Sequence, residues 1–196
     1  MIRVRRKVGI TILPAEDWSP YDPNVVRWRL AGPQRFEHLN ALCELRSAIE
    51  PLAARLAAEH ATPEQCGELT AAVIGMSSTA RAANGVAYLR HDADFHRMLL
   101  GASGNPMLRG LGDVVVAVLI GRTEHALMPR VAEPEAVRLH GVVASSIQAG
   151  DGAAAEQAML GIVRESSTAV ETVRALETLT NSDAFIDEIA RDNARA

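Results

Sequence analysis

Between residues 39 and 56 the large apolar side chains fall at Leu39, Leu42, Leu45, Ile49, Leu52 and Leu56, always three or four residues apart. An α-helix turns once in about 3.6 residues, so this spacing lines one face of a helix, whereas a strand would need steps of two. A helix with one apolar face must bury it against another element. The same periodicity recurs along the chain, and aromatic residues, which favour sheet, make up only 4% of its 196 residues. Ala, Leu and Val carry most of the apolar load. The expected fold is therefore all-α, an antiparallel bundle of helices.

Start and stop signals divide this pattern. Thr62, Pro63 and Gln65 form a helix-start signature, with a capping hydroxyl, a proline at the first helical position and a side chain that can reach back to the cap. Asn84-Gly85, "GASGNP" at 101–106, the pair Pro129 and Pro134, and Gly150 before Asp151 mark the breaks. The expected helices run about 24–31, 34–60, 62–83, 86–102, 106–127, 134–149, 151–179 and 183–194. Pro51 should kink or interrupt the second. Upstream, residues 2–13 alternate apolar and polar around Gly9, as a short hairpin does, and "PAEDWSPYDP" reads as a linker. The expected organisation is a hairpin, linker and short helix over 1–32, followed by a domain of six or seven helices over 33–196.

The net charge of −4 offers no general attraction to nucleic acid or anionic lipid, although "RVRRK" at 3–7 is locally basic. The apolar run "VVVAVLI" at 114–120 is too short to span a bilayer, so it faces either the core or a second copy of the chain. No apolar leader follows Met1, and Cys43 and Cys66 sit in helical contexts without a CxxC pattern. The expectation is a cytoplasmic chain with no membrane partner. Nucleophile-elbow, P-loop, HExxH and dinucleotide-binding patterns are all lacking, so hydrolase and dehydrogenase chemistry has no motif behind it.

The stretch "YLRHDADFHRMLLGASGN" places Asp92 and His96 four residues apart, stacked on one helix face. Such a pair can ligate one divalent metal or simply form a hydrogen bond. His140 lies among Leu139, Val143 and Ile147, toward the core or its rim. Arg46 sits among Leu42, Leu45 and Ile49 and needs an anion, which either Glu50 one turn later or a ligand carboxylate can supply. Arg122 follows the long apolar run. It either delivers a charge to a ligand or compensates its helix dipole, and His125 extends the same face.

Taken in order, "LRSAIEPLAARLAA", "DADFHRMLLGASGNPML" and "HGVVASSIQAGDGAAAEQAM" resemble the all-helical effector domain, termed FCD, of the FadR subfamily of GntR-family transcription regulators. The resemblance spans about residues 34–178. The segment "RVRRKVGITILPAEDWSPYDPNVVRWRL" is similar to the winged-helix wing and linker that precede that domain. The Trp18–Asp22 stretch with "VVRWRL" looks most like the galactonate-repressor branch. The helix-turn-helix that precedes the wing in that family does not lie within these 196 residues.

The resemblance implies a divalent metal (zinc, nickel or manganese) on Asp92, His96 and His140. The fourth ligand usual in the family, a histidine three residues after the methionine of "AEQAM", is replaced by Ile162, which cannot ligate. It further implies a small carboxylate effector such as a sugar acid, with Arg46 and Arg122 as its cations, Asn105 near the break and Ser166 and Ser167 as hydroxyl contacts. A metal-free pocket that hydrogen-bonds the acid directly is the alternative. The same resemblance implies a homodimer, operator DNA reached through an upstream helix-turn-helix, and DNA-backbone contacts from Arg3, Arg5, Arg6 and Lys7. Two competing functions remain open: a helical metalloenzyme using the three ligands with Glu124 as base, and a dimerisation module with a non-functional pocket.

Overall fold

The computed structural model of the chain describes residues 1–6, 9–125 and 134–193. Lys7 and Pro129, both singled out above, lie outside the described residues. Strands β1 (Ile2–Arg5) and β2 (Gly9–Ile12) pair antiparallel, with Ile2 opposite Ile12 and Val4 opposite Ile10. A single 3-10 turn at Ala15–Asp17 follows. Then come α1 (Pro23–Leu30), α2 (Arg35–His60), α3 (Pro63–Arg81), α4 (Gly85–Ala102), α5 (Pro106–Gly110), α6 (Gly112–Glu124), α7 (Pro134–Ala149) and α8 (Gly152–Asn193). The all-α expectation holds. None of the helices among the described residues is long and apolar enough to cross a membrane.

Local chemistry sets most helix starts. The Asp22 carboxylate accepts the Asn24 and Val25 amides, with Pro23 at the first turn of α1. Thr62 and Gln65 complete a reciprocal capping box on α3. The side chains of Asn84, Asn105 and Asp151 cap α4, α5 and α8.

Two boundaries differ from expectation, while the second helix runs over its expected span with Pro51 inside it. Pro51 does not break α2. It costs one backbone bond, but buried residues hold the helix on either side, Leu42 and Cys43 before it and Ala53, Ala54 and Ala57 after it. The helix expected at 106–127 is two, because Leu111 between Gly110 and Gly112 bonds back to Leu108 and ends α5. The two helices expected after 151 are one. Cap-type residues at 180–183 cost little inside a helix where nothing turns the chain, so α8 runs on to Asn193.

Two apolar clusters hold the bundle. The larger joins α2, α3, α4, α6, α7 and α8 around Leu69, Phe95, Leu99, Leu119, Val143 and Met159. The smaller seats α1 on α2, α6 and α8 through Val26, Leu30, Leu39, Leu42, Val118 and Val170. The run beginning at Val114 is spent between these two clusters, with residues 114–119 all buried, so its core reading applies.

Candidate metal and effector site

The polar group lies at the seam between the two clusters. On α2, Leu42 and Cys43 belong to the smaller cluster and Ala53 to the larger, with Arg46 and Glu50 between them. On α8, Val163 and Val170 flank Ser166 in the same way. Apolar packing on both sides therefore shuts water away from charges that the sequence places mid-helix. Arg46, Glu50, Asp92, His96, His140 and Ser166 are all buried.

Asp92 and His96 project from one face of α4, as their spacing requires, and His140 reaches them from α7. Asp92 Oδ1 lies 3.4 Å from His96 Nε2 and 3.3 Å from His140 Nε2, and the two Nε2 atoms are 3.5 Å apart. Three atoms at these separations share a centre about 2.0 Å from each, the length of a zinc–nitrogen or zinc–oxygen bond. The rings are prepared for such an ion. His140 Nδ1 donates to the Ala136 carbonyl at 2.7 Å, which leaves the Nε2 lone pair facing the centre. His96 Nδ1 lies 3.1 Å from Glu50 Oε2, slightly off the hydrogen-bond axis, so its Nε2 also turns inward. Phe95 packs edge-on against both rings. Burial would raise the Asp92 carboxyl, but the imidazoles of His140 and His96 beside it outweigh that and hold the group well below the usual carboxylate range. Burial likewise disfavours charge on His96, yet Glu50 and Asp92 on either side push its pKa up.

Two guanidiniums flank the triad. Arg46 makes a bidentate pair with Glu50, Nε to Oε1 at 2.8 Å and Nη2 to Oε2 at 3.2 Å. The Glu50 reading of Arg46 therefore applies, and its buried Nη1 has no partner among the described residues. Burial alone would raise Glu50, but Arg46 and His96 bring its pKa down to about 2. Arg122, at the end of α6, donates Nη2 to Asp92 Oδ2 at 3.3 Å and Nη1 to Ser166 Oγ. Its buried Nε is likewise without a partner. Burial, and then the nearby Arg46 charge, lower the Arg122 pKa.

The remaining expected residues divide. Ser166 orients Arg122. Ser167 donates to the Val163 carbonyl of its own helix at 3.0 Å, and Asn105 accepts the Met107 amide as the cap of α5. Ile162 is buried in the larger cluster. Arg3 and Arg6 are exposed at the hairpin. Glu124 is exposed past the end of the polar group, so the metalloenzyme reading lacks its base. Two residues escaped the sequence reading. Glu50 was assigned to Arg46 but not to His96, since that contact crosses helices. Tyr88, half-buried one turn before Asp92, extends the Tyr88–Asp92–His96 stripe, and its four-residue spacing was available as a signal. Burial, and then Asp92, push its phenol above its ordinary pKa.

Residues 41–165 match the family model of the FCD domain. The chain belongs to the FCD family. Over 174 residues it is 27% identical to the galactonate operon transcriptional repressor of Escherichia coli K12, covering 88% of this chain and 75% of that one. A 90-residue segment is 37% identical to the transcriptional repressor NanR of Escherichia coli, covering 46% of this chain and 32% of that one. Among solved structures, a GntR protein of Streptococcus agalactiae superposes with a TM-score of 0.58 at 23% identity, over 85% of this chain and 74% of that one, a likeness of fold. The FCD chain is thus the effector-binding part of a GntR-type transcriptional regulator. Its relatives are regulators, not enzymes.

Proposed function

We propose that this FCD domain senses a small sugar acid held between Arg46 and Arg122 and a divalent metal on Asp92, His96 and His140, that it acts as a homodimer, and that it reaches operator DNA only through an upstream helix-turn-helix. The observation that carries this reading is the pairing of an ion-sized triad with two guanidiniums, each with one buried nitrogen left without a partner among the described residues. The charges agree. With neutral histidines Arg46 and Arg122 balance Glu50 and Asp92, so a bound dication leaves an excess positive charge that an organic anion fills. A bound metal supplies a Lewis-acid contact for the acid's oxygen atoms. Ile162 gives no fourth protein ligand, which leaves that position to the effector or water. Zinc, nickel and manganese are the candidate ions, and the kinship with a galactonate operon repressor makes galactonate the first acid to try. Arg3, Arg5, Arg6 and Lys7 supply backbone contacts to DNA, weak and steeply salt-dependent by themselves.

The test is calorimetric titration of galactonate and related sugar acids onto wild type, His96→Ala and Arg46→Ala, each with and without chelator. Binding that is lost in both variants and on chelation supports the whole reading. Binding that survives chelation supports the metal-free pocket. Unchanged affinity in both variants places the effector elsewhere. Sedimentation at micromolar concentration showing only monomer removes the dimer.

A further inference from the structure

Arg122 follows Gly121, the residue of α6 against which Leu30 of α1 packs. A Cβ built on Gly121 would lie 2.5 Å from Leu30 Cδ1 and 3.5 Å from Leu30 Cβ and Cγ. The tip of the Leu30 side chain therefore occupies the space that a side chain on residue 121 would need, a notch that glycine leaves open. Leu30 is fully buried there and Val26 is buried beside it. From the other face of α1 the connection continues to the hairpin. Trp28 packs edge-on against Trp18 at 5.8 Å, Trp18 Nε1 donates to the Leu13 carbonyl at 2.8 Å, and Arg29 Nη2 donates to the Ala15 carbonyl at 3.4 Å. The Leu13 amide in turn donates to Met1 across the open end of the hairpin.

We infer that the Leu30–Gly121 notch is the output contact of the site, through which a change at the Arg122 guanidinium moves α1 and the hairpin it carries. The inference rests on the effector reading given above and adds its route. Arg122 now divides its donors between Asp92 on α4 and Ser166 on α8 and keeps Nε unspent. An anion that takes Nε redistributes those bonds and re-seats the last turn of α6. Leu30 lies directly on the backbone of that turn with no side chain between, so α1 cannot keep its position while the turn shifts. A packed notch of this kind transmits a small displacement without absorbing it.

The chain contains its own reporter, since its 2 tryptophans, Trp18 and Trp28, both lie on this route and neither lies among the site residues. The experiment measures tryptophan emission in full-length protein for wild type, Arg122→Met, Leu30→Ala and the double variant. Leu30→Val is the milder alternative, and circular dichroism confirms helicity in each. In the absence of ligand, Arg122→Met should shift the emission when Leu30 is present, and the shift should fall at least about twofold once Leu30 is shortened, the non-additivity expected of coupled positions. Gly121→Ala should shift emission by itself, and Gly121→Ala with Leu30→Ala should return it toward wild type. An Arg122→Met shift that is absent, or unaffected by Leu30, overturns the inference. Galactonate with zinc is then titrated in parallel by calorimetry and fluorescence. Heat and emission changes with one midpoint support the route, and heat without an emission change overturns it. Absence of heat counts against the effector reading alone, and the variant cycle still decides the notch.

Discussion

His96 and His140 face each other through their Nε2 atoms, 3.5 Å apart, each with its Nδ1 directed at an oxygen behind it. Two imidazole lone pairs aimed at one point repel unless a proton or a metal ion lies between them. Asp92 Oδ1, 3.3–3.4 Å from both, completes a group of three atoms with the spacing to hold a metal ion.

Zinc should therefore stabilise the folded chain. At one hundred times its Kd a ligand contributes about 2.7 kcal/mol, and a domain of this size gains about 2–4 °C per kcal/mol, a rise of about 5–10 °C in Tm. His140→Ala should cut that rise by half or more. Equal zinc-induced shifts in wild type and His140→Ala, read by differential scanning calorimetry, would show that the triad is not the site.

Glu50 neutralises Arg46 and faces His96 in a buried seam. Glu50→Gln strands the Arg46 charge, and breaking one side of a buried pair costs about 3–5 kcal/mol. Replacing both residues with Leu or Met should cost much less. Urea unfolding measures both variants, and a loss under about 1 kcal/mol in Glu50→Gln would contradict the pairing.

The same group sets an acid limit. In the folded chain its pKa is about 2 against 4.5 for the free side chain. A depressed carboxyl stabilises the fold fully above the unfolded value, and that contribution is lost as pH falls from about 5 toward 2. Asp92 acts in the same direction. In chelator-treated protein, the urea midpoint of wild type should drop steeply between pH 5 and pH 3 and that of Glu50→Gln less so. Parallel curves would show that Glu50 is not held ionised.

Ser166 and Ser167 are neighbours with different work. Ser166 positions Arg122, so Ser166→Ala should weaken sugar-acid binding about 3–10-fold, the worth of one ordinary hydrogen bond. Ser167→Ala and Asn105→Ala should leave affinity unchanged, the latter costing about 1 kcal/mol of stability as a lost helix cap. A larger effect on binding from Ser167 than from Ser166 would reverse this assignment.

Gly75 of α3 lies under the His91 ring of α4, where an added Cβ would come within 2.5–2.6 Å of three ring atoms. Gly75→Ala should destabilise by about 1–3 kcal/mol through overpacking, and His91→Ala in the same chain should recover most of it. If the double variant is as unstable as the single, the ring is not what the glycine accommodates.

Helices, their starts and one side-chain pair of the site are legible in the sequence alone, because each depends on interactions within a turn or two. The steps of three and four from Leu39 to Leu56, the Thr62–Gln65 box, the caps at Asp22 and Asp151 and the stacking of Asp92 on His96 are all local relations that 3.6 residues per turn dictates. Where local signals were weak or competed with packing, they misled. Leu111 breaks a helix expected to be continuous, and the 180–183 cluster starts none. The rest of the site belongs to tertiary structure alone. That Glu50 meets His96, that His140 turns Nε2 to the same point, that Ser166 holds Arg122 and that Leu30 fills the space above Gly121 all depend on how six helices are rotated and offset against one another. Helix register comes from side chains interlocking across axes about 8–10 Å apart, summed over both apolar clusters, and no short stretch of sequence contains that sum.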